Sequence, residues 1–420
     1  MPKLFLWAGG HWLLAIAVCG CVSARAEPDR QRTYYDVLYE VDVRSDCVAR
    51  VGIHIDRNPG RLIKLRIQVD PERQFGFEGD GTVEAKKNQV VWNIPEGTAK
   101  LRYRVRLDHQ RDSGEYDARC TEGWAMFRGE DLFPPTAAAS PDGLPLAYAK
   151  AILRFKAPKD WSIVTPFPKG DHAGEFIIDQ PHRFHDRPTG WIITGKLVVL
   201  REKYQGVSLI IASPINEGVR RLDMLALLRW TLPKLKKIVP ELPERLLIVS
   251  AGDPMWRGAL SGPSSVYIHA ERPLIWRDAT SPLLHELIHV VTHAKSAEDG
   301  DWVVEGMAEY YALELLRRSR GISKKRYKKA HQRLEKKGRK AKKLLVEHAS
   351  GAVTARAVAV MRRLDELLRK ETKDRASLDD LLYMLQKEHT GVTTVSFRKM
   401  AEQVAGRDLE NFFRVYVYAK

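Results

Sequence analysis

Residues 285–316, HELIHVVTHAKSAEDGDWVVEGMAEYYALELL, hold two histidines and several carboxylates at spacings a helix can use. On a helix His285 and His289 are four residues apart and project from one face, as two imidazoles on one zinc ion require. Between them, Glu286 reaches the open side of such an ion and can act as base to a water there. Glu305 stands 16 positions beyond His289. That gap lets one helix end, the chain reverse at Glu298-Asp299-Gly300-Asp301, and a second helix bring back a third ligand. Glu309 shares the face of Glu305 and can accept a hydrogen bond from the far nitrogen of a ligand histidine. One zinc per chain is therefore the expected cofactor. His293 reads as a bystander, because a straight helix does not aim three successive i+4 residues at one ion.

These side chains need a helix that starts just before His285. Ser281-Pro282 offers an N-cap followed by proline at the first helical position. Leu283, Leu284, Leu287, Ile288, Val290 and Val291 give that helix an apolar face to bury. Upstream the texture differs. Tyr35, Val37, Tyr39, Val41 and Val43 alternate with largely polar neighbours, and Leu101, Tyr103, Val105 and Leu107 alternate with Arg102, Arg104 and Arg106. This period of two predicts half-buried antiparallel strands, and similar short strands are expected at 90–94, 151–155 and 190–200. Compact apolar strands at 207–213 and 245–252 flank a helical segment, Val219 to Val239. From Ser281 onward the pattern is helical, with Gly306, Gly321, Gly338, Gly351, Gly391 and Gly406 as expected interruptions or ends. The fold class is α+β: an antiparallel β-sandwich-like region over 27–203, then a catalytic domain over 204–420 with a helical C-terminal part.

HELIH followed by WVVEGMAEYYA resembles the gluzincin metallopeptidases, and within them the glycyl aminopeptidase-like family, here divergent and without that family's PDZ module. TKDRASLDDLLYMLQKEH (372–389) and VSFRKMAEQVAGRDLENFFRVYV (395–417) look like its C-terminal helices, so the resemblance covers about residues 205–420. It implies a thermolysin-like domain, zinc on His285, His289 and Glu305, Glu286 as base, and a peptide or protein substrate. Two features of relatives are replaced. Where they hold a glutamate that captures the substrate's free amine, this chain has Gly258-Ala259-Leu260-Ser261-Gly262, and serine offers an ammonium no charge. Where they hold a tyrosine that donates to the oxyanion, this chain has Thr354, which is too short, so Tyr310, Tyr311 and Arg356 become the candidate donors. Cutting inside a peptide is then expected over trimming its end; the alternative is a weakly active or inactive relative that binds a partner at the cell surface.

A chain of 420 residues suits two or three domains. Its N-terminus has a lysine, an apolar run from Leu4 to Val18 and small residues ending at Ala26, which reads as an export signal over residues 1–26. The expected setting is periplasmic or secreted, the rival being a lipid anchor on Cys21. Cleavage after Ala26 leaves Cys47 and Cys120, which in an oxidising setting are expected to pair. Net charge is +16, and residues 317–343 carry 15 Lys and Arg against the single acid Glu335. That segment suits an anionic surface such as lipid, lipopolysaccharide or wall polymer, or an acidic substrate. Without aromatic interleaving or a nucleic-acid-binding fold, no specific nucleic acid is expected. The oligomeric state is not readable.

Overall fold

The computed structural model describes residues 34–44, 46–56, 62–141, 144, 147–178, 187–388 and 390–418. The signal-like segment and Cys21 lie outside the described residues. The period-two segments form strands as their alternation requires. In Tyr34–Asp42, Tyr35, Val37, Tyr39 and Val41 point into the core, and in Thr98–Arg106, Leu101, Tyr103 and Val105 are buried while the three arginines are exposed. A six-stranded sheet runs Glu175–Ile178, Tyr148–Lys156, Tyr34–Asp42, Val48–Asp56, Thr98–Arg106, Gln74–Gly79. All its neighbours are antiparallel except Tyr34–Asp42 and Tyr148–Lys156, which run parallel in unbroken register. A four-stranded and a five-stranded sheet complete this half. Buried residues from all three, Tyr39, Trp92 and Phe127 among the largest, share one apolar cluster, so the N-terminal half folds around a common core.

Cys47 and Cys120 are joined by a disulfide. It connects the six-stranded sheet, at the start of Val48–Asp56, to Tyr116–Cys120 of the five-stranded sheet. A link spanning 73 residues stabilises by about 4 kcal/mol in the chain-entropy model. Cys47→Ser should lower the unfolding free energy measured in urea by that amount, with a slope no shallower because the unlinked unfolded chain exposes more surface, and an unchanged free energy would show the link to be energetically silent.

The segment 190–200, expected as one strand, is two. Trp191–Gly195 pairs within the N-terminal five-stranded sheet. After Gly195, at φ 142°, the chain crosses to β1 (Leu197–Tyr204) of a second sheet. An added Cβ on Gly195 would lie 2.5 Å from both the Gly123 carbonyl and Trp124 Cα, so only glycine fits the crossing. The second sheet continues with β2 (Val207–Pro214), β3 (Arg245–Val249), β4 (Ala259–Gly262) and β5 (Ser265–Ile268), in the order β1-β2-β3-β5-β4. Between the two halves lies a separate apolar layer in which Met126, Trp191 and Ile193 meet Ile210, Leu247 and Tyr267. The Trp191 indole donates to the Leu260 carbonyl at 2.9 Å, and its backbone N–H donates to Ser265 Oγ at 2.8 Å.

On the other face of this sheet α1 (Arg221–Ile238) and α2 (Pro282–Thr292) pack on its strands, and α3 (Asp301–Arg318), α4 (Lys324–Gly338), α5 (Ala352–Thr372), α6 (Leu378–Gln386) and α7 (Thr394–Ala405) pack around them. Gly306, expected as an interruption, lies inside α3. An added Cβ there would sit 2.7 Å from the Ala357 Cβ of α5, so glycine serves close helix packing rather than a break. Among the described residues no helix is long and apolar enough to cross a membrane.

Candidate metal centre

Ser281 caps α2 by accepting from the Leu284 N–H, and Pro282 takes the first helical position. Leu283, Leu284, Leu287, Ile288, Val290 and Val291 are all buried. This anchors the helix with His285 and His289 on its remaining face. The helix ends at Thr292, and His293 adopts the left-handed conformation at its C-cap, turned out to solvent. The chain then reverses and re-enters α3 at Asp301. Gly300 sits under the 390–394 segment: Ala297 N–H donates to the Val392 carbonyl at 2.9 Å, and Thr394 N–H donates to Asp299 Oδ1 at 2.9 Å. The Trp302 indole donates to Thr394 Oγ1 at 2.9 Å, which fixes the first turn of α3 as well.

Four residues into α3, Glu305 meets the two histidines. His285 Nε2 lies 3.1 Å from His289 Nε2, and each lies 3.3 Å from a Glu305 oxygen. Ligand atoms about 2.0–2.1 Å from a tetrahedral zinc ion sit about 3.3–3.4 Å apart, so this triangle has the dimensions of a three-residue zinc site. Glu309 Oε2 is 3.1 Å from His285 Nδ1, which turns the Nε2 lone pair of that ring toward the triangle. The other Glu309 oxygen is buried and makes no hydrogen bond.

Electrostatics point the same way. Burial disfavours a charge on His285, yet hydrogen bonds to Glu305 and Glu309 and the field of Glu286 hold its proton affinity well above the ordinary histidine value. Burial also opposes ionisation of Glu305, and the two imidazoles overcome it, holding the carboxyl far below its usual range. Three carboxylates around two imidazoles call for a cation. Metal and proton then compete for His285, and because its proton affinity is raised, zinc affinity should begin to fall above the ordinary histidine range as pH is lowered. Titration from about pH 8 to about pH 6 should show a loss approaching tenfold per unit for each displaced proton. A flat profile would mean that the imidazole is not a ligand.

Glu286 lies at the border between the apolar face of α2 and the face that carries the two histidines. It is 9 % exposed, and its Oε2 accepts the Ser261 N–H of edge strand β4 at 2.8 Å. Ser261 thus meets the centre through its backbone, a role that no side-chain pattern could have signalled. The three candidate oxyanion donors are not brought to the triangle. On α3, Tyr310 and Tyr311 are about 140° and 120° around the helix from Glu305, on opposite sides. Tyr310 is buried against His331 of α4, and the Tyr311 hydroxyl donates to Asp379 Oδ1 at 2.8 Å. Arg356 Nη1 donates to the Ala341 carbonyl at 3.2 Å, and its backbone lies against Gly338 at the end of α4. Tyr310 and Arg356 are engaged around the basic helix and Tyr311 by α6. Thr354 sits half-buried in the first turn of α5.

Searches of the sequence against family models and against curated proteins found no match. Solved structures do match. An aminopeptidase N family protein from Idiomarina loihiensis aligns with TM-score 0.66 at 16 % identity, over 91 % of this chain and 76 % of its own. An M1 zinc metallopeptidase variant from Deinococcus radiodurans, bound to Tyr-Ser-Ala, aligns with TM-score 0.60 at 16 % identity, over 92 % and 93 %. A two-domain M1 zinc metallopeptidase variant bound to L-arginine gives TM-score 0.60 at 17 % identity, over 92 % and 93 %. The chain has the two-domain fold of these M1 zinc metallopeptidases. The likeness spans both halves, whereas the sequence resemblance reached only residues 205–420, and M1 rather than glycyl aminopeptidase-like is the description these structures carry.

Proposed function

We propose that the chain is a zinc-dependent peptidase that cuts inside peptide chains. The observation that carries this reading is the 3.1–3.3 Å triangle of His285, His289 and Glu305 with the buried Glu286 carboxylate beside it. A structural zinc site has no use for such a base. Zinc held by the three ligands supplies Lewis-acid polarisation of the scissile carbonyl and makes water acidic enough to react near neutral pH. Glu286 takes the proton from the attacking water and carries it to the leaving nitrogen. The Ser261 N–H fixes the rotamer of Glu286, and β4, at the sheet edge, offers backbone groups along which an extended peptide can lie.

Internal cutting is favoured because Ser261 stands on β4 where an amine-binding carboxylate would be needed. The structural neighbours lean the other way, toward aminopeptidases. Paired peptides with free and acetylated N-termini separate the two. Comparable cleavage of both is the expected result, and cleavage restricted to free N-termini would establish that another group binds the amine. A second reading, a zinc-loaded but catalytically weak relative, draws support from Thr354 and from the engaged positions of Tyr310, Tyr311 and Arg356; zinc without cleavage of either peptide would select it. We further infer that the protein is exported, on the signal-like residues 1–26 and the Cys47–Cys120 link.

A further inference from the structure

Two features that the metal centre does not use are neighbours across residues 272–276. On α1, Leu222, Ala226 and Trp230 follow at four-residue spacing; Leu222 is 71 % exposed and Trp230 is 58 % exposed. Next to them, Pro273, Leu274 and Ile275 form a shallow groove with Trp230, flanked by Arg220 and Asp223, and Trp276 beyond it is also exposed. An isolated exposed leucine needs no explanation, but an exposed leucine and two exposed tryptophans in and beside one groove do.

The same loop leads to the basic helix. Arg220, at the head of α1, donates to the Arg272 carbonyl, and Arg326, in the first turn of α4, donates to the Trp276 carbonyl. The groove and the start of α4 are thus neighbours across residues 272–276. Along α4, Ala330 and His331 face inward, while Lys324, Lys325, Lys328 and Lys329 are exposed, and among the described residues none has a carboxylate within ion-pair reach. The one acid of the segment, Glu335, is already bound to Arg363 of α5.

We propose that this face docks the protein on an anionic lipid bilayer. The lysines of α4 lie over the headgroups, and Leu222, Trp230 and Trp276 enter the interfacial layer. A polyanion such as nucleic acid would use the lysines but gains nothing from Leu222 and Ile275. An acidic peptide would engage only part of so long a row of cations. A charged, mixed surface with apolar depth matches cations beside an amphipathic tryptophan edge.

The test is co-sedimentation of the full chain with vesicles of phosphatidylcholine, alone or with about one third phosphatidylglycerol. Binding confined to the anionic vesicles and weakened by salt is expected. A Lys324→Glu, Lys325→Glu, Lys328→Glu variant should bind at least roughly tenfold more weakly. A Leu222→Ser, Trp230→Ser variant, altered only at exposed positions, should also lose roughly tenfold and show less quenching of its tryptophan fluorescence by brominated lipid. Equal binding to neutral vesicles would overturn the proposal. So would full binding by the Leu222 and Trp230 variant, or tighter binding to a DNA oligonucleotide or polyglutamate than to the anionic vesicles.

Discussion

Glu286→Gln should reduce peptide hydrolysis by about a hundred- to ten-thousandfold while the purified variant keeps its zinc. Glutamine matches glutamate in size and can still accept the Ser261 N–H, which reaches Glu286 Oε2 at 2.8 Å. What it cannot do is take a proton from water. Because His285, His289 and Glu305 form the triangle without Glu286, metal content and catalysis should separate cleanly in this variant. Metal analysis beside steady-state kinetics decides the matter. If zinc and activity fall together, Glu286 belongs to the binding site, and if neither falls, the chemistry lies elsewhere.

The second large effect is expected at Gly300. Its φ of −85° suits any residue, so glycine is required by space and not by backbone conformation. An added Cβ would lie 1.7 Å from the Val392 carbonyl oxygen and 2.6 Å from the carbon behind it, both backbone atoms that cannot swing aside. For Gly300→Ala the reversal must move away from the 390–394 segment, which strains the Ala297–Val392 and Asp299–Thr394 hydrogen bonds. A loss of about 3 kcal/mol or more is expected in chemical denaturation. Since Glu305 follows five residues later, zinc affinity should fall as well. A variant with normal stability and normal zinc would show that the 390–394 segment yields freely and does not set the position of the third ligand.

The parts of this molecule that obey a period were legible from the residues alone. Alternation at Tyr35–Val43 and Leu101–Leu107 required strands with one buried face, and i, i+4 spacing put His285 beside His289 and Glu305 beside Glu309. What escaped depended on partners distant in sequence. Gly306 looked like a break because nothing in α3 announces that α5 crosses it at Ala357. Residues 190–200 looked like one strand because both pieces are apolar, although Trp191–Gly195 and Leu197–Tyr204 belong to different sheets. The contact of Ser261 with Glu286 is made by an N–H that every residue but proline carries, so no side chain could advertise it. Tyr310 and Tyr311 were credible donors from sequence distance alone; only the packing of α4 and α6 shows their surroundings to be His331 and Asp379.

The 390–394 clamp on the ligand reversal also has a meaning in time. A ribosome makes His285, His289 and Glu305 well before it makes Val392 and Thr394. Nascent chain ending between these points holds all three ligand side chains but lacks the hydrogen bonds that bring α3 back onto α2. The contacts that hold the ligand reversal are therefore among the last the chain can make. A chain stalled before Val392 carries His285, His289 and Glu305 without the contacts that hold the reversal between them.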